Sequence, residues 1–348
     1  METDVMEVQG QRAARRGDHA AWKAAVEGHQ RPDARRAILQ LCDSVGVYLA
    51  LWVALYFSLR VSWWLTVPLA VLAGAVLVRV FIIFHDCGHG SFFASRRAND
   101  TWGFITGLLT FTPYEHWRWE HSVHHASSGN LDKRGMGDVW TMTVREFLEA
   151  PFWTRVRYRI ARNPVVLFAI APALLFIVWQ RIPTASASPR ERRSVWVMNV
   201  ALALVVTGLG LLFGWLPMLA ILTIVLTVAG AAGVWMFYVQ HQFEQVYWAH
   251  DADWDYTKAA LEGSSYYQLP RVLQWFSGNI GFHHVHHLSP RIPNYNLERC
   301  HRASPLFQNV TRLTLRTSMR SLSLRMWDES SRRLVGYAHL RSLRGAAN

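Results

Sequence analysis

The chain has 348 residues and a mass of 39.9 kDa; 51% of its residues are hydrophobic, only 17% are charged, and the mean hydropathy is +0.07. A charged fraction so far below the ~25% of soluble domains excludes a disordered chain and argues against an ordinary soluble enzyme. Thirty-six basic residues face 24 acidic ones, for a net charge of +12 and a pI near 10.1. Nucleic-acid binding would explain that charge but not the long apolar runs beside it, whereas basic residues flanking apolar runs hold a membrane protein in its orientation.

Residues 1–37 are polar and arginine-rich, and read as an N-terminal tail with no secretory signal peptide. Two apolar runs follow, about 38–59 and 62–84, each long enough as a helix to cross a bilayer. The short link around Arg60 makes them a tight hairpin. The basic tail places the chain start, and so residue 85, on the cytoplasmic side. Residues 102–112 are apolar but too short to span, and read as re-entrant or interfacial.

Three more apolar runs follow, at about 164–180, 195–213 and 216–239. The last two are separated only by Gly214-Trp215 and form a second hairpin. Run 164–180 carries Pro172 at its centre, with Arg155, Arg157, Arg159 and Arg162 before it and Arg181, Arg190, Arg192 and Arg193 after it. Basic flanks on both sides keep both ends cytoplasmic and make this run interfacial or re-entrant. The expected fold is therefore an all-α integral membrane protein. Four transmembrane helices are joined by re-entrant or interfacial helices and carry a cytoplasmic helical cap. Residues 38–327 form its membrane domain and 328–348 a polar C-terminal tail. Arg312, Arg316 and Arg320, at i, i+4 and i+8, predict one amphipathic surface helix with its arginines at the headgroups.

The three cysteines, Cys42, Cys87 and Cys300, show no CxxC spacing and offer neither a disulfide framework nor a zinc ribbon. The chemistry is in the 16 histidines, which cluster. His85 and His89 are i, i+4. His121, His124 and His125 are i, i+3, i+4, and His283, His286 and His287 repeat that pattern. His241 directly follows the last apolar run. Residues three or four apart share a helix face, so each cluster can turn two or three imidazoles to one point. Imidazole binds zinc, copper, iron and nickel.

Lone histidines such as His19, His29 and His339 read as surface groups, and His116, His250, His284 and His301 as supporting or structural ones. The nine clustered imidazoles exceed what one tetrahedral or octahedral ion takes, and so point to two metals with open positions. HExxH is absent, which removes the zinc-protease helix. A metal transporter would carry ionisable groups in mid-span. Here the histidines sit at span ends, and the spanning runs after residue 60 contain almost no charge except Arg79, with Asp43 near the start of the first run.

The three histidine motifs, HDCGH (85–89), HSVHH (121–125) and HHVHH (283–287), resemble those of the membrane fatty acid desaturase family. HDCGHGSFF (85–93), HHASSGNLDKRGMGDVW (124–140), YVQHQFE (238–244) and GNIGFHHVHHLSPRIPNYNLERCH (278–301) are similar to its bacterial and plastid acyl-lipid members. The resemblance covers roughly residues 40–327. It implies two irons held by His85, His89, His121, His124, His125, His283, His286 and His287, with His241 as the extra ligand. Asn279, His284, Asp138 and Glu244 become candidates for orienting those ligands.

The implied reaction is dioxygen-dependent insertion of a cis double bond into an acyl chain, with position set by an apolar tunnel. Related hydroxylases and ketolases are the alternative. Without an HPGG haem motif, electrons must come from a separate ferredoxin-like or cytochrome donor, and the basic face could dock that donor or anionic lipid. A bacterial cytoplasmic-membrane location is expected, and the basic tail and the four spans put both termini and the metals on the cytoplasmic side.

Overall fold

The computed structural model describes residues 21–346. Residues 1–20 of the expected tail lie outside the described residues, but 21–37 are not tail. A helix over 21–27 buries Val26, and α1 begins at Ala34, where the Asp33 carboxylate accepts the Arg36 backbone N–H. Among the described residues, four helices are long and apolar enough to cross a membrane: α1 (Ala34–Ser58), α2 (Trp63–His89), α6 (Pro189–Phe213) and α7 (Trp215–His241). Between the two hairpins lie α3 (Arg96–Leu109), α4 (Tyr114–Ser127) and α5 (Phe152–Ala161). The spans carry exposed Leu204, Leu211 and Leu216, which are 70%, 77% and 81% accessible and belong in lipid rather than water.

The spans run beyond their apolar windows because local capping continues them. Ser62 caps the start of α2, and the helix ends only at Gly90, which is left-handed at φ 67°. The final turns of α2 therefore carry His85 and His89. A Ser188–Glu191 capping box starts α6 six residues before its apolar run. α2 and α7 approach closely through Gly74, where a Cβ would lie 2.7 Å from Val228 Cβ. Two charges of the first hairpin meet, with Arg79 Nη2 3.2 Å from Asp43 Oδ2 and Arg79 Nη1 donating to the Trp275 carbonyl.

The proline-containing run is broken. Val166–Arg181 meets α5 at 61°, and Pro172 packs where a Cβ on Gly230 of α7 would fall 2.8 Å away. On the polar side, α8 (His283–Leu288) and α9 (Asn294–Ala303) pack with two small sheets. Tyr266–Tyr267 pairs in parallel with Arg312–Leu313, and Met326–Asp328 pairs antiparallel with Arg333–Val335.

Two expectations for the C-terminal region are corrected. No single amphipathic helix carries Arg312, Arg316 and Arg320: Leu313 is taken by the strand pairing, Thr314 caps a one-turn helix at Leu315–Ser318, and Met319–Ser323 is a 3-10 turn. Residues 328–346 are not a loose tail either. Leu334 and Val335 are buried in the hairpin, and α10 (Tyr337–Ala346) buries Leu340.

Candidate metal centre

Every clustered histidine lies at the end of an element that leaves the membrane or caps it. α2 delivers His85 and His89, α7 delivers His241, α4 delivers His121, His124 and His125, and α8 delivers His283, His286 and His287. These chains converge on two sets. In one, His85, His89, His121, His125 and His286 each offer an atom within 4.8 Å of the others; in the second, His124, His241 and His287 do the same. His283 borders the second set, its Nε2 2.9 Å from His241 Nε2.

Each motif brings at least one imidazole to a shared point, as its spacing allows, and two of the motifs divide their imidazoles between the sets. Successive residues on a helix are turned by about 100°. The adjacent pair His124-His125 therefore feeds both sets, and His286-His287 does so from the facing helix. His125 and His287 stack between the sets at 4.2 Å.

Outer partners fix the rings. A carboxylate or carbonyl can only accept, so the nitrogen it faces carries the proton and the other nitrogen is left free to bind. His124 Nδ1 donates to Asp138 Oδ1 at 2.8 Å, His85 Nδ1 to Asp86 Oδ1 at 3.0 Å, and His241 Nδ1 to the Gly263 carbonyl at 3.0 Å. Asp86 is itself held by the backbone N–H and side-chain amide of Asn294. Trp117 stacks on His121 at 4.4 Å. Asp86, Asn294 and Trp117 were missed from the sequence, although a carboxylate inside HDCGH and an aromatic four residues before His121 were available signals.

Of the supporting candidates, only Asp138 touches a clustered histidine. Asn279, at φ 62°, accepts from Gln274 and donates to the Asn294 carbonyl, one step behind Asp86. Glu244 is exposed and pairs with Arg333, so it orients no imidazole. His284 pairs with His301 at 3.1 Å, behind the site. His116 accepts the Thr184 backbone N–H, and His250 bridges Asp132 and Glu329.

The donor set fits a first-row metal. Nε2 of His89, His124 and His287 is buried without a hydrogen-bond partner among the described residues. Burial, then the charge of neighbouring imidazoles, holds His121, His125, His283, His286 and His287 well below the usual histidine range, in the neutral form a metal binds. Beside them opens a cavity of about 280 Å³. Leu77 and Phe81 of α2, Gly233 and Phe237 of α7, and Phe176 of the broken run line it, and it reaches His85, His121 and His283. Glu120 is in its wall, its carboxyl pushed up to about 7 by burial.

The family model described as "Fatty acid desaturase" matches residues 62–313. This chain belongs to the fatty acid desaturase family. It is 43% identical over 318 residues to a Bacillus subtilis protein named "Fatty acid desaturase", covering 91% of this chain and 90% of that one. It is 27% identical to the "sn-1 oleoyl-lipid 12-desaturase" of a Synechocystis species, covering 68% of each chain. Against the "sn-1 acyl-lipid omega-3 desaturase (ferredoxin)" of that same organism it is 28% identical, over 68% of this chain and 67% of the other. The chain is thus a desaturase, an oxidoreductase acting on fatty acyl chains, with apolar helices long enough for the membrane its family occupies.

Proposed function

We propose that the two histidine sets each hold one iron and that the cavity between α2 and α7 receives the acyl chain of a membrane lipid. The ligands are His85, His89, His121, His125 and His286 for one ion, and His124, His241, His287 and His283 for the other. The observation that carries the reading is an apolar cavity ending on histidines of both regions. When bound, the irons supply dioxygen activation and the oxidising power that removes two hydrogens from adjacent methylenes.

The chain's own residues do the rest. Asp86, Asp138 and the Gly263 carbonyl orient His85, His124 and His241. Leu77, Phe81 and Phe237 exclude water and hold a methylene pair, which has no polar handle, at a fixed depth. Electrons come from a separate ferredoxin-like donor, in keeping with the ferredoxin in the name of the Synechocystis relative. Both hairpins begin and end on the metal side, and the basic flanks support a cytoplasmic location for that side.

Expression in a host making only saturated and monounsaturated chains, with double-bond mapping of total lipids and iron analysis of the purified protein, tests this. A new double bond and about two irons are expected, as the nitrogen donor sets imply. An added oxygen in the product, or zinc in place of iron, overturns it.

A further inference from the structure

A second cavity, of about 370 Å³, lies away from the histidines between α5 and α10. Arg155 and Arg159 of α5 and Arg341 of α10 line it, with Phe147 and Tyr337 as aromatic walls. Among the described residues, no acidic residue lines it and none of the three arginines has an ion-pair partner. Arg159 is held in place by the rings of Phe147 and Tyr337, its guanidinium carbon 5.7 Å and 5.3 Å from their centroids. The Tyr337 hydroxyl is buried with no hydrogen-bond partner among the described residues. The pocket thus presents three cationic forks and a free phenolic donor, the recognition chemistry of a phosphate group.

Its surroundings indicate where that phosphate comes from. Phe152, Trp153 and Ile160 of α5 are 62%, 71% and 55% exposed, and the broken run that follows exposes Val165, Ile170 and Trp179. Aromatics beside arginines on a short helix that leads into an apolar segment mark the headgroup level of a bilayer. We infer that Arg155, Arg159, Arg341 and Tyr337 form a binding site for the phosphate of an anionic lipid headgroup, separate from the histidine centre. Such a lipid fastens α10, the last helix, to the membrane surface through α5.

The full chain, purified in detergent, is titrated with phosphatidylglycerol, with phosphatidylcholine and with inorganic phosphate, and bound lipid is counted by native mass spectrometry. The wild type is expected to retain phosphatidylglycerol preferentially. Each of Arg155→Gln, Arg159→Gln and Arg341→Gln should weaken that retention about fivefold, as one basic residue near an anionic surface contributes. The triple variant should lose the preference. Arg333→Gln, which removes a charge paired with Glu244 elsewhere, should keep it. Should the triple variant fail to fold, the three single variants decide. Undiminished phosphatidylglycerol retention in the folded variants overturns the site. Occupancy by inorganic phosphate that displaces the lipid overturns its assignment to a headgroup.

Discussion

Gly233 offers a direct test of the acyl cavity. It lies on α7 in the cavity wall, and a Cβ built there meets nothing within 4 Å. Side chains can therefore grow into the cavity without first pushing on the protein. Ala, Val and Leu add one, three and four carbons, each displacing a methylene of the bound chain. At ~0.8 kcal/mol per buried methylene, Gly233→Ala should cost about fourfold in turnover at limiting substrate, and Gly233→Leu roughly 3 kcal/mol, or about two orders of magnitude. Gly230→Ala is the contrasting case, because its Cβ would collide with Pro172 at 2.8 Å and shift the broken run. Its effect should be abrupt and accompanied by lower thermal stability. The assay is conversion of labelled lipid by reconstituted enzyme, with iron content measured alongside. Wild-type turnover in Gly233→Leu, with the protein folded and loaded, would refute the placement of the acyl chain.

Asp86→Asn and Asp138→Asn each remove a carboxylate that orients a ligand imidazole, and should lower iron retention 10–100-fold, measured by chelator competition. His287→Ala, which leaves one set with a missing donor, should abolish desaturation while the protein still inserts into membranes, checked by lipid analysis and membrane fractionation. Below pH ~6.5 the unfolded chain binds protons that buried His121, His125, His283, His286 and His287 refuse in the folded state. Stability of the metal-free protein should therefore be full above that pH and fall as pH drops below it, read as a falling melting temperature. Ser186→Cys, at an exposed position between the broken run and α6, should label from the cytoplasmic side; periplasmic labelling would mean that Val166–Arg181 crosses.

Much of the membrane part was legible because bilayer thickness imposes a length that composition alone reveals. Span ends were less so. Hydropathy drops at His85 and at Arg193, yet α2 and α6 extend past both, because Ser62, Gly90 and the Ser188–Glu191 box set the ends rather than apolarity. The cap was the least legible part. Arg312, Arg316 and Arg320 satisfy helical spacing, but the parallel pairing of Leu313 with Tyr267 joins residues 46 apart in sequence, and no local period encodes such a contact. The hairpin that buries Leu334 against Trp327 was hidden for a related reason: a few apolar residues among SSRR are too few to stand out from a tail.

The histidine motifs show what periodicity does and does not encode. Spacing i, i+4 correctly unites His85 with His89 and His121 with His125, but the assignment of each member of a neighbouring pair depends on where the facing helix lies. His124 and His125 diverge because α7 brings His241 to one side of α4 while α2 brings His85 and His89 to the other. The same two helices form the main walls of the acyl cavity, so their separation fixes both the division of ligands and the space for substrate. Between Leu77 and His85, eight residues of α2 advance about 12 Å along the axis. In the proposed placement of the acyl chain, the depth at which it meets the histidines is built into the length of helix exposed to the cavity. A substrate anchored at the membrane surface would then be measured by that rigid span, with no polar contact at the carbons that react.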